Sequence, residues 1–170
     1  MHIRQETAND YSSVHSVIEQ AFASAEHSDG NEADLVSALR KGKSFIPKLS
    51  LVAEIDGKIV GHILFTKARI ENNVVLALAP LSVLPKFQKQ GIGTALIKEG
   101  HRIAKELGYK LSVVLGSESY YPRVGYSPAD NFGIQAPFEV PRENFMAFKL
   151  VENTADIQGT LRYAEEFGIY

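Results

Sequence analysis

Cysteine is absent from the 170-residue chain. Disulfides, thiolate nucleophiles, iron–sulfur clusters and cysteine-ligated zinc are therefore excluded, and any chemistry must use oxygen, nitrogen or backbone groups. His15, His27 and His101 lack the spacing of a metal site, so we interpret them as surface or helix-face histidines. No metal cofactor is expected.

An excess of positive charge is also missing. Lysine and arginine number 18 against 20 aspartates and glutamates, a formal net charge of −2. Nucleic acid is not an expected partner, because no basic field is present to hold a phosphate backbone. No stretch approaches the roughly 18 apolar residues of a membrane span, and Met1–Gln5 does not open a signal sequence. We expect a cytoplasmic protein with no membrane partner.

What is present is the composition of an ordinary globular protein, 45% hydrophobic and 22% charged. The length fits one domain. A possible strand precedes Thr7, which stands three residues before Asp10 in the form of a capping box. Apolar residues then recur at helical spacing and predict a first helix: Val14, Val17, Ile18, Ala21 and Phe22. Asn31 begins a shorter second helix that carries Leu35 and Leu39.

Two β-rich runs, 49–55 and 58–65, are separated only by Asp56-Gly57. This dipeptide tolerates the positive φ angles of a type I′ turn, so the runs predict a hairpin. Asn72-Asn73 predicts another turn before 74–83. That last run is apolar enough for both faces of a central strand to be covered.

A helix is predicted from Gly91 to about Gly108, followed by an apolar strand over 111–115. Strand, helix and strand form a crossover unit, which sets two neighbouring strands parallel within an otherwise antiparallel sheet. The fold class is therefore mixed α+β. Apolar and polar residues alternate weakly over 145–150, and the apolar residues after Glu152 show no clear period.

The segment 88–94 lies between the central strand and the amphipathic helix. Gly91 and Gly93 let the backbone come close to a ligand, and the free amides of a first helical turn suit a phosphate. Lys86 and Lys89 add mobile positive charge, which favours a pyrophosphate. A dinucleotide-binding turn is not favoured, because Leu96 stands where a small residue is needed. Gly42-Lys43-Ser44 is not a Walker loop either, because that motif needs a glycine at position 37, where this chain has Ser37.

A second group of residues, Tyr120 to Tyr126, follows the next strand. Tyr121 precedes Gly125-Tyr126 in a Tyr-x-x-x-Gly-aromatic pattern, and Gln88 to Gly93 forms a Gln-x-x-Gly-x-Gly pattern. Together the two patterns resemble the GNAT superfamily of acyl-CoA-dependent N-acyltransferases, from about Ile3 to Tyr126. The later segments 138–140 and 144–146 resemble small bacterial members. The resemblance implies a GNAT-like domain over 1–150, with 151–170 as its C-terminal extension.

The resemblance implies a central, mostly antiparallel sheet flanked by helices, with a V-shaped split between its two middle parallel strands. Acetyl-CoA is the implied co-substrate and occupies that split. Its pantetheine arm pairs with the backbone of Leu81, Ser82 and Val83. Its diphosphate sits on the turn that contains Gln88, Lys89, Gln90, Gly91, Ile92, Gly93 and Thr94. A backbone amide near Val83 polarises the thioester carbonyl.

The implied proton donor to the departing thiolate is Tyr121, with Tyr120 as the core member of the pair unless their roles are exchanged. A phenol with an ordinary pKa near 10 is protonated at neutral pH. Members of the family often carry an acidic general base on the central strand, but 74–83 contains no acidic residue. The group that takes the proton of the acceptor amine is therefore Glu118, His62 or water. Water-mediated proton loss is favoured.

The function that follows is direct acetyl transfer to a primary amine of a small molecule or peptide. A ternary complex is expected, because the chain has no cysteine and no visible Ser-His-Asp arrangement. The alternatives are a weak or inactive CoA-binding regulatory module and an interaction domain without a CoA site. Four acidic residues either attract a cationic amine or form a solvated loop: Glu26, Asp29, Glu32 and Asp34. Edge strands of the C-terminal segment would allow a homodimer.

Overall fold

A computed structural model describes residues 1–23 and 30–169. The order of its strands and α-helices is β1 (His2–Gln5), α1 (Tyr11–Phe22), α2 (Glu32–Arg40), β2 (Phe45–Ile55), β3 (Lys58–Ile70), β4 (Asn73–Val83), α3 (Ile92–Glu106), β5 (Leu111–Leu115), β6 (Ser127–Pro128), β7 (Ile134–Gln135), β8 (Phe145–Lys149) and β9 (Gly159–Arg162). Short 3-10 turns connect several of them. All the helices and strands predicted from periodicity are present, most of them within a few residues of the predicted bounds.

The strands form a sheet in the order β1-β2-β3-β4-β5-β8-β6. Its neighbours are antiparallel except β4 and β5, which pair in parallel through Leu76 with Ser112 and Ala77 with Val113. The mixed α+β architecture with one parallel crossover in its middle is confirmed. It follows from α3, which carries the chain from the end of β4 back to the start of β5.

The β4–β5 ladder is short, and this shapes the site. Pairing stops at Ala77, whereas β4 continues to Val83. Opposite β3, one extra residue of β4 lies between the pairs Phe65–Leu78 and Ile63–Leu81, so β4 bulges there. The C-terminal half of β4 is therefore hydrogen-bonded to β3 on one side, and its edge toward β5 diverges.

Helices cover both faces of the sheet. On one face, α3 buries Ile92, Leu96 and Ile97 in the core that contains Phe65. On the other, α1 and α2 bury Val14, Ile18, Val36 and Leu39 against β2 and β3. Asp10 accepts a hydrogen bond from the Thr7 backbone N–H at 2.7 Å just before α1, as the capping pattern predicts.

The turns agree with the sequence in one case and differ by a residue in another. Asp56 and Gly57 have φ angles of 51° and 77°, both positive, which a type I′ turn requires. The next turn centres on Glu71 and Asn72 rather than on Asn72 and Asn73, because Asn73 already pairs with Ile70. The β3 strand is five residues longer than predicted for the same reason.

The segment after Glu152 does contain a strand, which periodicity did not predict. Arg162 and Leu161 of β9 pair with Arg69 and Ile70 at the end of β3, and β9 also pairs with β7 in parallel. Within residues 1–23 and 30–169, no helix has both the length and the apolar content needed to cross a membrane.

Candidate functional site

A cavity of about 630 Å³ lies where the diverging end of β4 meets the start of α3. Eight of the predicted cofactor-binding residues line it: Leu81, Val83, Gln88, Lys89, Gly91, Ile92, Gly93 and Thr94. The other three, which were not predicted to bind the cofactor, are Phe87, Tyr120 and Arg123. The volume is in the range of small-molecule sites.

The β4 side of the cavity follows from strand alternation. Leu81 and Val83 face the cavity, so Ser82 between them points to the opposite face of the sheet. Ser82 is 1% exposed, and its hydroxyl has no hydrogen-bond partner among the described residues. The predicted backbone role of Ser82 does not depend on its side chain.

The loop between β4 and α3 is held by its own side chains. The Gln88 side-chain amide donates to the Val83 carbonyl at 3.0 Å, and that of Gln90 donates to the Lys86 carbonyl at 3.2 Å. Lys89 and Gly91 adopt positive φ angles of 64° and 85°. Alternation of such left-handed residues turns successive backbone N–H groups toward one side, as in anion-binding nests.

The α3 helix begins with unpaired amides. Gly91 is its N-cap and supplies no side-chain cap, and the first intrahelical bond runs from the Ala95 N–H to the Gly91 carbonyl at 3.0 Å. The N–H groups of Ile92, Gly93 and Thr94 therefore lack intrahelical acceptors, and the positive end of the helix dipole adds to their field. This end of the cavity is suited to a phosphate or diphosphate group.

Gly93 is required by close packing. A Cβ atom there would lie 2.9 Å from the Tyr120 hydroxyl, and the same hydroxyl lies 3.2 Å from Thr94 Oγ1. Tyr120 and Tyr121 both pack against the core, and of the two it is Tyr120 that lines the cavity, beside the start of α3.

Tyr121 begins the 3-10 turn Tyr121–Val124 that follows β5 and, unlike Tyr120, is not among the residues that line the cavity. Its ring covers Gly116, where a Cβ atom would approach it to 2.4 Å, and it meets the Tyr120 ring edge-on at 5.1 Å. Burial raises the pKa of Tyr121, so the phenol stays protonated at neutral pH. In the described part of the chain no residue hydrogen-bonds its hydroxyl.

Tyr126 and His101 anchor this turn to the fold. The Tyr126 hydroxyl lies 3.0 Å from both His101 Nε2 and Ser112 Oγ, which joins the turn to α3 and β5. His101 lies on a helix face, as predicted, but the face is buried and the ring stacks on Phe148 at 4.1 Å. Burial lowers the pKa of His101 to about 4.

Glu118 and His62, the two side chains considered as the general base, do not line the cavity. Glu118 is exposed and accepts a hydrogen bond from Asn144 at 2.6 Å, and its pKa is lowered by hydrogen bonds from its own backbone and from Asn144. A lowered pKa makes it a weaker base. His62 is fully buried, and desolvation lowers its pKa to about 3, with a smaller contribution from the Arg40 charge.

His62 belongs to a buried polar chain beneath α1 and α2. Its Nε2 lies 3.0 Å from Ser50 Oγ, Ser50 donates to Glu6 at 2.9 Å, and Glu6 pairs with Arg40 at 2.6 Å. Because the single Ser50 proton goes to the carboxylate, Ser50 accepts from a protonated Nε2. Because burial lowers its pKa to about 3, His62 is neutral at pH 7, and its 3.8 Å approach to Glu6 is not an ion pair.

The structure describes two of the four acidic residues that were considered as an attraction for a cationic amine. Glu26 and Asp29, together with His27, lie outside the described residues. Glu32 and Asp34 stand in the first turn of α2, where negative charge stabilises a helix N-terminus.

Comparison with known proteins places these features in a family. Residues 47–128 match the model of the acetyltransferase (GNAT) domain. Escherichia coli YjhQ, described as an uncharacterised N-acetyltransferase, is 36% identical over 165 residues, covering 92% of this chain and 88% of that protein. Similarity on that scale over nearly the whole chain is what common ancestry produces.

Two solved structures have the same fold over nearly the full length. The GNAT-family N-acetyltransferase YhbS of Escherichia coli, in complex with CoA, superposes with a TM-score of 0.89 at 27% identity, covering 98% of this chain and 91% of that one. A GNAT-family acetyltransferase of Brucella melitensis, in complex with acetyl-CoA, gives 0.82 at 33% identity, with 98% and 97% covered.

Proposed function

The chain belongs to the GNAT family of acetyl-CoA-dependent N-acetyltransferases, and from that premise we propose that it transfers the acetyl group of acetyl-CoA directly to a primary amine of a small molecule or peptide. The observation that carries this proposal is the cavity of about 630 Å³ between the diverging end of β4 and the uncapped start of α3. Eight of the residues that the family resemblance assigns to acetyl-CoA meet there.

The residues present fit acetyl-CoA. The edge of β4 beyond Ala77 is not paired with β5, so the pantetheine amides can add to it as an extra strand would. The unpaired N–H groups at the start of α3 suit the diphosphate, and Lys89 and Arg123 bring positive charge to the same cavity. Relatives from Escherichia coli and Brucella melitensis are known in complex with CoA and acetyl-CoA.

Within this arrangement, the chain supplies position and charge rather than a covalent intermediate. The amine nitrogen attacks the thioester carbon, and the carbon–sulfur bond breaks. A backbone amide near Val83 stabilises the oxyanion that develops on the carbonyl oxygen. Gln88 and Gln90 hold the loop in place through the Val83 and Lys86 carbonyls.

We assign Tyr121 as the proton donor to the departing thiolate. Its raised pKa keeps the phenol protonated, so that its O–H can donate a hydrogen bond to the sulfur as negative charge develops there, with the proton following as the thiol leaves. The Tyr120 hydroxyl, in contrast, is already engaged by Thr94 at 3.2 Å. Tyr120 therefore shapes the cavity and supports the Tyr121 ring from the side.

The ammonium proton of the acceptor leaves through water in this mechanism. An alkyl amine with a pKa near 10.4 must lose a proton before it can attack. Neither Glu118 nor His62 lines the cavity, and each has a lowered pKa. Both observations support solvent as the acceptor of that proton.

Titration calorimetry with acetyl-CoA tests the binding half of the proposal. We expect Gly91→Val to weaken binding at least about tenfold, since strain at its positive φ and the new side chain disturb the amides of the loop. Gly57→Val is a matched control, because Gly57 has a similar φ of 77° and equally open space but lies in the β2–β3 turn. Equal affinities of the Gly91→Val and Gly57→Val proteins would reject this binding site.

A thiol-release assay across a panel of primary amines tests the catalytic half. Acceptor-dependent release of CoA is expected for at least one amine. The regulatory module, favoured only by the lack of an acidic side chain on β4, instead predicts acetyl-CoA binding with no amine-dependent thiol.

A further inference from the structure

A second cavity, far from the start of α3, is lined by four basic side chains. Its volume is about 400 Å³, and it lies between the loop after α2, the end of β3 and the segment that begins with β9. Lys43, Lys67, Arg69 and Arg162 contribute the positive charges. We call it the cationic cavity. Glu165 is the one carboxylate among the residues that line it in the described part of the chain.

The cationic cavity is separate from the proposed acetyl-CoA site. Lys67 and Arg69 pair with Leu76 and Val74 near the beginning of β4, whereas the proposed acetyl-CoA site lies at Val83. At about 3.3 Å per residue, Val74 and Val83 are roughly 30 Å apart along the strand. A molecule in the cationic cavity therefore does not occupy the site of acetyl transfer.

The fold brings these charges together by strand pairing. Arg69 of β3 lies directly opposite Arg162 of β9, so both side chains project from the same face of the sheet. Lys67 shares that face with Arg69, two residues along the strand. The loop after α2 is hydrogen-bonded to β3 at this point, because the Lys67 backbone N–H donates to the Ser44 carbonyl at 3.0 Å.

This arrangement has an electrostatic cost, although all four cationic side chains are exposed to solvent. Like charges directly opposite each other on neighbouring strands destabilise the pair. Among residues 1–23 and 30–169, none of the four cations forms an ion pair or a side-chain hydrogen bond. The chain as a whole carries a net charge of −2, so the cluster does not simply reflect a basic composition.

The other polar groups of the cavity are hydrogen-bond donors suited to an oxyanion. Ser44 and Tyr163 both line it and both carry hydroxyl groups. Burial raises the pKa of Tyr163, so its hydroxyl keeps its proton at neutral pH. The centroid of the Tyr163 ring lies 6.2 Å from that of Phe138 and 5.1 Å from that of Phe167.

From this geometry we infer that the cationic cavity binds a phosphate dianion, either free or as the phosphate group of a small ester. Two guanidinium groups match the paired oxygens of phosphate, and two ammonium groups add point charges that a monocarboxylate would not balance. The volume is sufficient for a phosphate with a small substituent. Bound phosphate removes the repulsion between Arg69 and Arg162.

Thermal unfolding of the full chain tests the inference with inorganic phosphate as the probe. At pH 8 and constant ionic strength, exchange of chloride for millimolar phosphate is expected to raise the Tm by several degrees. Arg69→Gln and Arg162→Gln should each weaken phosphate binding about tenfold or more in calorimetry and remove most of the Tm increase. Each should also be at least as stable as wild type in chloride, because the like-charge pair is gone.

Three controls make the test specific. Lys98→Gln removes an exposed charge on α3 outside the cavity and should keep the full phosphate response. Lys67→Gln repeats the test at a third cation of the cavity if an arginine variant fails to fold. Unchanged acetyl-CoA affinity in all variants separates this site from the proposed acetyltransferase site.

One set of outcomes distinguishes free phosphate from a phosphate ester, and another would reject the site. Tighter binding of glycerol phosphate than of inorganic phosphate identifies an ester as the ligand, and the reverse order identifies free phosphate. The inference is overturned if chloride at equal ionic strength stabilises the wild type as much as phosphate does. A phosphate response that persists in both arginine variants also overturns it.

Discussion

Ser82 of β4 lies directly opposite His62 of β3, and each carries a buried polar atom that no described residue satisfies. The atoms are Ser82 Oγ and His62 Nδ1, and both residues are at most 1% exposed. Ser50, the neighbour of His62 on β2, is equally buried but hydrogen-bonds both His62 and Glu6. Ser50 and Ser82 are thus buried serines of one sheet in opposite states of hydrogen bonding.

This contrast predicts different effects of the same substitution. Ser50→Ala leaves the Nε2–H of His62 without its partner and removes one of the two hydrogen bonds to Glu6 Oε1, and we expect a loss of about 1 to 3 kcal/mol in the free energy of unfolding. Ser82→Ala removes a hydroxyl that has no partner, so stability should be unchanged or slightly higher. Urea unfolding of the two variants measures both values. Equal losses would show that Ser82 is hydrogen-bonded in solution.

Buried histidines predict a loss of stability in mild acid. Burial lowers the pKa of His62 to about 3 and that of His101 to about 4, below the 6.5 of an unfolded histidine. Between those values the unfolded state binds more protons, so folding loses stability as the pH falls from about 6.5. Each histidine contributes up to about 1.4 kcal/mol per pH unit in that window. Unfolding followed from pH 7 to 4.5 should show this slope.

A single variant isolates the contribution of His62. His62→Gln keeps an N–H donor toward Ser50 but cannot titrate, so its stability should fall less steeply between pH 6.5 and 4.5. The ion-paired Asp10 does not obscure this window, because Arg4 and the Thr7 groups lower its pKa and its protonation destabilises only at lower pH. Parallel slopes for wild type and His62→Gln would mean that His62 is already charged in the folded protein.

Two neighbouring tyrosines allow a matched test of the proposed proton donor. Tyr121→Phe and Tyr120→Phe each remove one hydroxyl and keep the ring packing. Tyr121→Phe is expected to lower kcat roughly a hundredfold or more, whereas Tyr120→Phe loses only the contact with Thr94 and should alter kcat slightly. Turnover is measured with the best acceptor from the amine panel. A large loss in Tyr120→Phe alone would exchange the two roles.

Local patterns in the sequence predicted the parts of the fold that local chemistry decides. Asp56-Gly57 needs two positive φ angles, Gly91 ends a loop and begins a helix, and the apolar spacing of α3 follows one helix face. Each of these signals lies within a few residues of the structure it specifies. The crossover that sets β4 parallel to β5 follows from their order.

Features that depend on distant partners were not accessible in this way. The β9 strand has no period of its own and exists because it pairs with β3, about ninety residues earlier. Tyr120 and Tyr121 are adjacent in a short turn, so no periodicity shows which hydroxyl reaches the cavity. His62 carries no sequence signal of its burial, because its partners Ser50 and Glu6 come from other elements.

The packing of α3 on the sheet gives a final prediction, at Gly100. Alanine in the middle of a helix ordinarily stabilises it by about 1 kcal/mol relative to glycine. Here a Cβ atom would come within 2.3 Å of the Phe65 ring, which is fully buried. Overpacking of this kind costs about 1 to 3 kcal/mol, so Gly100→Ala should be destabilising overall.

The same clash should reach the acetyl-CoA site, because relief requires α3 to shift and its first-turn amides shift with it. We therefore expect Gly100→Ala to weaken acetyl-CoA binding several-fold in calorimetry although Gly100 does not line the cavity. Lys98→Ala, at an exposed position of the same helix, should affect neither stability nor binding appreciably. Phe65→Leu in the Gly100→Ala protein makes room for the new methyl group, and it should restore binding even where overall stability is not regained. If binding is normal in Gly100→Ala while stability falls, the Phe65 ring has moved instead of the helix, and the position of α3 is not set by this contact.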